Sequence, residues 1–276
     1  MLEELYEPFA LPFVQRGLLE VLALSVGAGL VGTWVVLRGL AFYSHAVGTA
    51  AFPGVVLAGG LGFAAPLGAL ASAVVFAGGL ERLSRGRRSG YDSLTALVLV
   101  GMMALGVILA SDVFFSGSDV DTLLFGSLLL IGRDDVSFAA AASVVTFFAS
   151  YLFGRVWLAT GFDPAAARSL GLRSAVPDAV LLLLIALVGA AALFAVGAIL
   201  VTTLLVVPAA TARLFTRRLL PWQIASIALV VAEGAPGLWL SVATNAPPGA
   251  TIAMLAGGVF ALCLVVRLLT GGGLPR

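Results

Sequence analysis

From Ala179 to Ala212 the chain reads AVLLLLIALVGAAALFAVGAILVTTLLVVPAATA, a run without a single charged residue. One membrane-spanning helix needs about 20 apolar residues. The run is too long for one crossing and is read as two, with a tight turn between them. Gly189 and Gly197 are the expected break points, giving spans Asp178–Leu193 and Ala195–Leu214. Working outward, the same criterion finds Gly17–Leu37, His45–Leu61, Pro66–Leu83, Ser93–Ser111, Val136–Gly154, Trp222–Val242 and Gly249–Leu269. That predicts nine spans, the second and sixth of them short. Thr122–Gly132 is apolar but too short to cross. It is expected to be a short helix or re-entrant piece packed on the outer side and ending at the polar cluster Arg133-Asp134-Asp135.

Composition agrees. Of 276 residues 61% are hydrophobic and 11% charged, and the mean hydropathy is +1.13, whereas a soluble domain is about a quarter charged. The fold class expected is all-α: a polytopic membrane protein in a single domain, 1–276, with about nine transmembrane helices. Residues 1–16 carry Glu3, Glu4 and Glu7 and lack a basic stretch before their apolar run. They read as an amphipathic segment at the membrane surface, not as a cleaved signal peptide. The net charge is +1 and all fifteen basic residues are arginine. No basic stripe suggests a nucleic-acid partner. The lone Cys263 has no partner for an intrachain disulfide. A single histidine excludes the two-histidine zinc motif of metalloproteases, no cofactor motif is present, and the chain is not expected to be an enzyme.

The arginines orient the spans. Arg82, Arg85, Arg87 and Arg88 surround one loop, Arg155, Arg168 and Arg173 a second, and Arg217 and Arg218 a third. By the positive-inside rule these lie in the cytoplasm. Ser111–Asp121, with Asp112, Asp119 and Asp121, and the uncharged Thr244–Pro248 then face outside. The longest cytoplasmic loop contains its own helix signals: Asp163 as N-cap, Pro164 at the first helical position and Gly171 as the stop. A two-turn helix over 163–172 is expected, either as a plain capped loop helix or as a docking element for a partner ATPase.

The stretch Asp163 to Gly171, followed by Val196-Gly197-Ala198-Ile199-Leu200-Val201-Thr202-Thr203-Leu204-Leu205-Val206-Val207-Pro208-Ala209-Ala210-Thr211-Ala212-Arg213, resembles the permease subunits of zinc/manganese ABC importers. Arg38-Gly39-Leu40-Ala41 leading into Phe52-Pro53-Gly54-Val55, Leu124-Phe125-Gly126-Ser127-Leu128, and Gly237-Leu238-Trp239-Leu240-Ser241 leading into Pro247-Pro248-Gly249-Ala250 match in the same order. The resemblance implies a type II importer permease in the cytoplasmic (inner) membrane, most simply a homodimer. Two copies of a separate ATP-binding subunit would bind it, and an extracytoplasmic metal-binding protein would deliver a divalent zinc or manganese ion. It implies that Asp163, Pro164, Ala167, Leu170 and Gly171 couple to the ATPase. No GxxxxGK[ST] motif occurs, so the chain does not hydrolyse ATP in the P-loop manner.

The chain departs from the family at the second span. There the family carries Asp and, four residues on, His; registered on Arg38 and Pro53-Gly54, these positions are His45 and Thr49. Ionisable groups inside a membrane are costly and are candidate functional residues. His45, near the cytoplasmic start of the second span, and Glu233, the one acidic residue read as deep in a span, are the expected metal contacts. Glu233 opens Glu-Gly-Ala-Pro-Gly, where Pro236 is expected to break the helix beside the carboxylate. The alternatives are an importer permease of the same fold for another cargo, such as a metal chelate, and a secondary transporter driven by an ion gradient.

Overall fold

The computed structural model describes residues 11–84, 91–113, 124–127, 131–169, 172, 175–198 and 200–270. Among these residues there are eleven α-helices and no strand. They are α1 (Pro12–Arg38), α2 (Ala41–Ala50), α3 (Phe52–Leu61), α4 (Ala65–Ser84), α5 (Tyr91–Ile108), α6 (Arg133–Phe162), α7 (Pro164–Ser169), α8 (Ala175–Val196), α9 (Val201–Phe215), α10 (Leu219–Thr244) and α11 (Pro248–Leu269). A π-helical turn, Leu109–Val113, ends α5. Seven stretches are long and apolar enough to cross a membrane, α2 and α3 counting as one; α4 and α9 hold shorter apolar helices. The nine correspond one to one with the nine expected spans. α1 begins at Pro12 and takes in the end of the 1–16 segment; residues 1–10 lie outside the described residues.

α1 forms the centre. Its most apolar stretch is 72% buried, against 17% for the α5 span and 11% for α11. It runs parallel to α6: Gly27 lies against Ser143, Trp34 against Ser150, and Arg38 against Thr160. It runs antiparallel to α10, with Gly29 against Ile227 and Val21 against Gly234. Small residues set these approaches, as is usual where helices pack without a hydrophobic drive. Buried hydroxyls and indoles bond inward because lipid offers them nothing. Thr33 donates to the Leu30 carbonyl, Ser226 to Trp222, and the Trp157 and Trp222 indoles to Pro177 and Ala209.

Two expectations need correction. α8 runs straight through Gly189 and stops at Gly197, whose φ of +84° only glycine adopts freely. One glycine costs a helix about 1 kcal/mol, too little to expose backbone groups in lipid. The sixth span, α8, is therefore full length at 22 residues and the seventh, α9, is short at 15. Second, α10 is unbroken from Leu219 to Thr244 despite Pro236. Its glycines serve packing instead, Gly234 against Val21 and Gly237 against Ile252. The second span, by contrast, is interrupted at Ala51, two residues before Pro53. The Gly54 N–H turns to the Ala51 carbonyl at 3.1 Å, and the Ala50 carbonyl accepts from Ser72 Oγ at 2.6 Å.

Of the short element expected over 122–132, residues 124–127 and 131–132 are described. Leu124 and Phe125 are helical, and Leu124, Phe125 and Gly126 sit against Gly197 at the end of α8, with Phe125 also against Gly249 at the start of α11. Much of loops 85–90 and 114–123 lies outside the described residues.

Candidate functional site

At the end of α1 that faces α7, three helices meet on one guanidinium. Arg38 donates to Asp178 Oδ1 of α8 at 2.6 Å and to Thr160 Oγ1 of α6 at 2.7 Å. Both α6 and α8 thereby fix the segment between them, where α7 lies. Asp163 caps α7 as expected: its Oδ1 accepts from the Ala166 N–H at 2.9 Å and its carbonyl from Ala167 at 3.0 Å. Ala167 is buried against the chain itself, while Ala166 and Ser169 are exposed. Pro164 opens the helix; Leu170 and Gly171 lie outside the described residues.

His45 sits one turn into α2, half-buried. Among the described residues its imidazole has no hydrogen-bond partner. The Thr49 hydroxyl donates to the His45 carbonyl at 3.1 Å, so its proton is already committed. Gly48, almost a turn further on, touches Val201, whereas Gly32 of α1 touches Leu205 of the same helix α9. Those contacts place His45 near the level of Val31, about two turns from the Arg38 end of α1.

Glu233 lies in the middle of α10 and is buried, and among the described residues neither carboxyl oxygen has a hydrogen-bond partner. Its neighbour Gly234 packs on Val21, nine residues from the start of α1. At 1.5 Å per residue, Glu233 stands roughly 10–15 Å from the level of His45 along the helix axes. The two expected metal contacts are on separate helices at separate depths. Among the described residues no three His, Cys, Asp or Glu side chains converge as a metal cage.

The sequence reading missed one residue. Glu20 is fully buried on α1, and among the described residues neither of its carboxyl oxygens has a hydrogen-bond partner. It adjoins Val21, so it shares the level of Glu233, and Asp135 at the start of α6 is its electrostatic neighbour. Asp135 itself accepts the Gly132 N–H at 2.8 Å, while Arg133 and Asp134 are exposed. The signal was available: α1 starts at Pro12 and not at Gly17, which puts Glu20 two turns inside the helix.

Comparison with known proteins follows the same fold. A model of the ABC 3 transport family matches residues 10–267. The manganese transport system membrane protein MntC of Halalkalibacterium halodurans is 31% identical over 91% of this chain and 86% of its own length. A Haemophilus influenzae protein named "Probable iron transport system membrane protein" is 29% identical over 96% of this chain and 97% of its own. The solved structure "PsaBC from Streptococcus pneumoniae in complex with Fab" superposes with a TM-score of 0.85 at 26% identity, covering 95% of both chains.

Proposed function

The chain belongs to the ABC 3 transport family, and on that footing we propose that it is the membrane-spanning permease subunit of an ATP-binding cassette importer that moves a divalent metal ion into the cell. The observation that carries the reading is the extent of the match. It takes in every one of the nine spans and the capped α7 between α6 and α8. The names of the relatives support a transition metal as cargo, manganese first. A chain without its own ATP site needs a separate ATP-binding subunit, two copies for a permease pair. α7, held by the Arg38 junction, is the docking element, with Asp163 and Pro164 as its start, and its end of the bundle is cytoplasmic. α5 and α11, the least buried spans, offer the faces on which a second copy packs. An extracytoplasmic binding protein delivers the ion at the opposite end, in the cytoplasmic membrane of the cell.

His45 and Glu233 serve as two successive stations for the ion. Neither is a complete cage, and passage favours weak, multiple sites over one tight one. Replacing a carboxylate by imidazole at the inner station shifts ligand preference away from manganese and toward zinc or iron, so zinc remains in competition with manganese.

The experiment is uptake of radioactive manganese and zinc in a strain lacking its own importers. The chain is expressed with its ATP-binding subunit and binding protein, and again with an ATPase-dead subunit. ATP-dependent accumulation of at least one of the two metals is expected. Accumulation that survives the dead ATPase and follows the proton gradient instead would establish a secondary transporter.

A further inference from the structure

A groove of about 490 Å³ opens on the outside of the bundle where α1, α6 and the start of α10 meet. Its apolar wall includes Trp34, Phe147 and Leu219, and its polar edge Tyr151, Arg155 and Gln223. Trp34 forms the floor. It is 1% exposed, and Gly154 leaves room for its ring: a Cβ at that position would lie 3.3 Å from Trp34 Cζ2. Trp34 is four residues from Arg38, so the groove lies in the α7 half of the membrane.

The polar edge is unoccupied by the protein. Among the described residues the side chains of Tyr151, Arg155 and Gln223 have no partner, and Arg155 and Tyr151 are exposed. Arg218, also exposed, immediately precedes the α10 residues that line the groove. Two other arginines at this end are engaged, Arg38 by Asp178 and Arg213 over the Trp222 ring at 4.8 Å. A guanidinium beside a hydroxyl and an amide recognises a phosphate. The adjoining wall is too apolar for a free phosphate and suits a hydrocarbon chain. Basic pockets between spanning helices on the cytoplasmic side bind anionic headgroups.

We propose that this groove binds one anionic phospholipid of the cytoplasmic leaflet, with an acyl chain against Trp34, Phe147 and Leu219 and the phosphate on Arg155. The leaflet rests on the orientation given under Proposed function; the binding itself does not, so transport and lipid retention can fail separately. The lipid ties α1 to the start of α10 across the α6 face.

The test uses the full-length chain, purified and exposed to phosphatidylglycerol or phosphatidylcholine, with native mass spectrometry counting retained lipid. Retention of phosphatidylglycerol is expected to fall about fivefold in Arg155→Gln, the factor that about 1 kcal/mol per surface arginine amounts to, and to recover in Arg155→Lys. Acyl-brominated phosphatidylglycerol should quench tryptophan emission in the wild type and lose most of that quenching in Trp34→Phe. Equal retention by Arg155→Gln and wild type overturns the proposal. So does equal retention of phosphatidylcholine, quenching that does not depend on Trp34, or complete displacement of the lipid by inorganic phosphate, which would make the occupant a free anion.

Discussion

The two ends of α1 treat buried charge in opposite ways. At the α7 end Arg38 is 16% exposed and held by both Asp178 and Thr160. At the other end Glu20 is fully buried and Glu233 is buried at the same level, and among the described residues no carboxyl oxygen of either has a hydrogen bond. A charged group bonded on two sides locks helices together. A carboxyl left without partners costs stability, about 3 kcal/mol on insertion scales at mid-membrane, and gives the fold nothing in return. The contrast separates structural charge from charge kept for another task. Arg38 belongs to the frame that joins α1 to α6 and α8 beside α7, and under the proposed function Glu233 is the unpaired carboxyl offered to the ion.

The largest effect is expected at Arg38, whose Nη2 makes both bonds although its Nε has no partner among the described residues. Arg38→Ala should lower stability by about 2 kcal/mol, near the value for hydrogen bonds to charged groups and below that for a fully buried pair because Asp178 is partly solvated. Denaturation in detergent measures it, and Asp178→Asn should lose less, since its amide oxygen still accepts. An Arg38→Ala protein as stable as wild type would make the junction incidental.

Next comes Glu233→Gln, which keeps the shape and removes the charge. Metal uptake should fall about tenfold, equivalent to about 1.4 kcal/mol, with stability nearly unchanged; His45→Ala should fall by less, because water can replace one ligand of a weak site. Normal uptake by both variants would mean that the route is lined by backbone and hydroxyl groups.

The smallest effect sharpens the comparison most. Glu20→Leu should stabilise the protein by about 1 kcal/mol, because it removes a buried polar group that no hydrogen bond offsets, and should leave uptake intact. Loss of uptake in this variant would add Glu20 to the ion's path. Loss of stability would mean that its carboxyl has a partner in the membrane.

Much of this was readable from sequence because lipid simplifies the rules. Apolar length alone finds all nine spans, and Asp163 announces its capping role by standing before Pro164. What failed was reading local breaks. Gly189 and Pro236 look like helix breakers, but a spanning helix keeps its backbone bonded and runs through both. Of these expected breaks only Gly197, where a positive φ is actually adopted, ends a helix, as Gly39 and Gly62 end α1 and α3. The Arg38–Asp178 pair was hidden by a separation of 140 residues. Glu20 was hidden by starting the first span five residues late, and the separation of His45 from Glu233 depends on helix register, which no single-helix pattern encodes.

Gly54 and Gly68 face each other across α3 and α4, and a Cβ on either would strike the other's carbonyl oxygen. The obstruction is mutual and made of backbone, so no change in a neighbouring side chain relieves it. Neither position can vary first: the two are locked against stepwise divergence, and an intermediate carrying alanine at one of them must move a whole helix. In any set of functional descendants of this chain, these two sites should be among the last to drift.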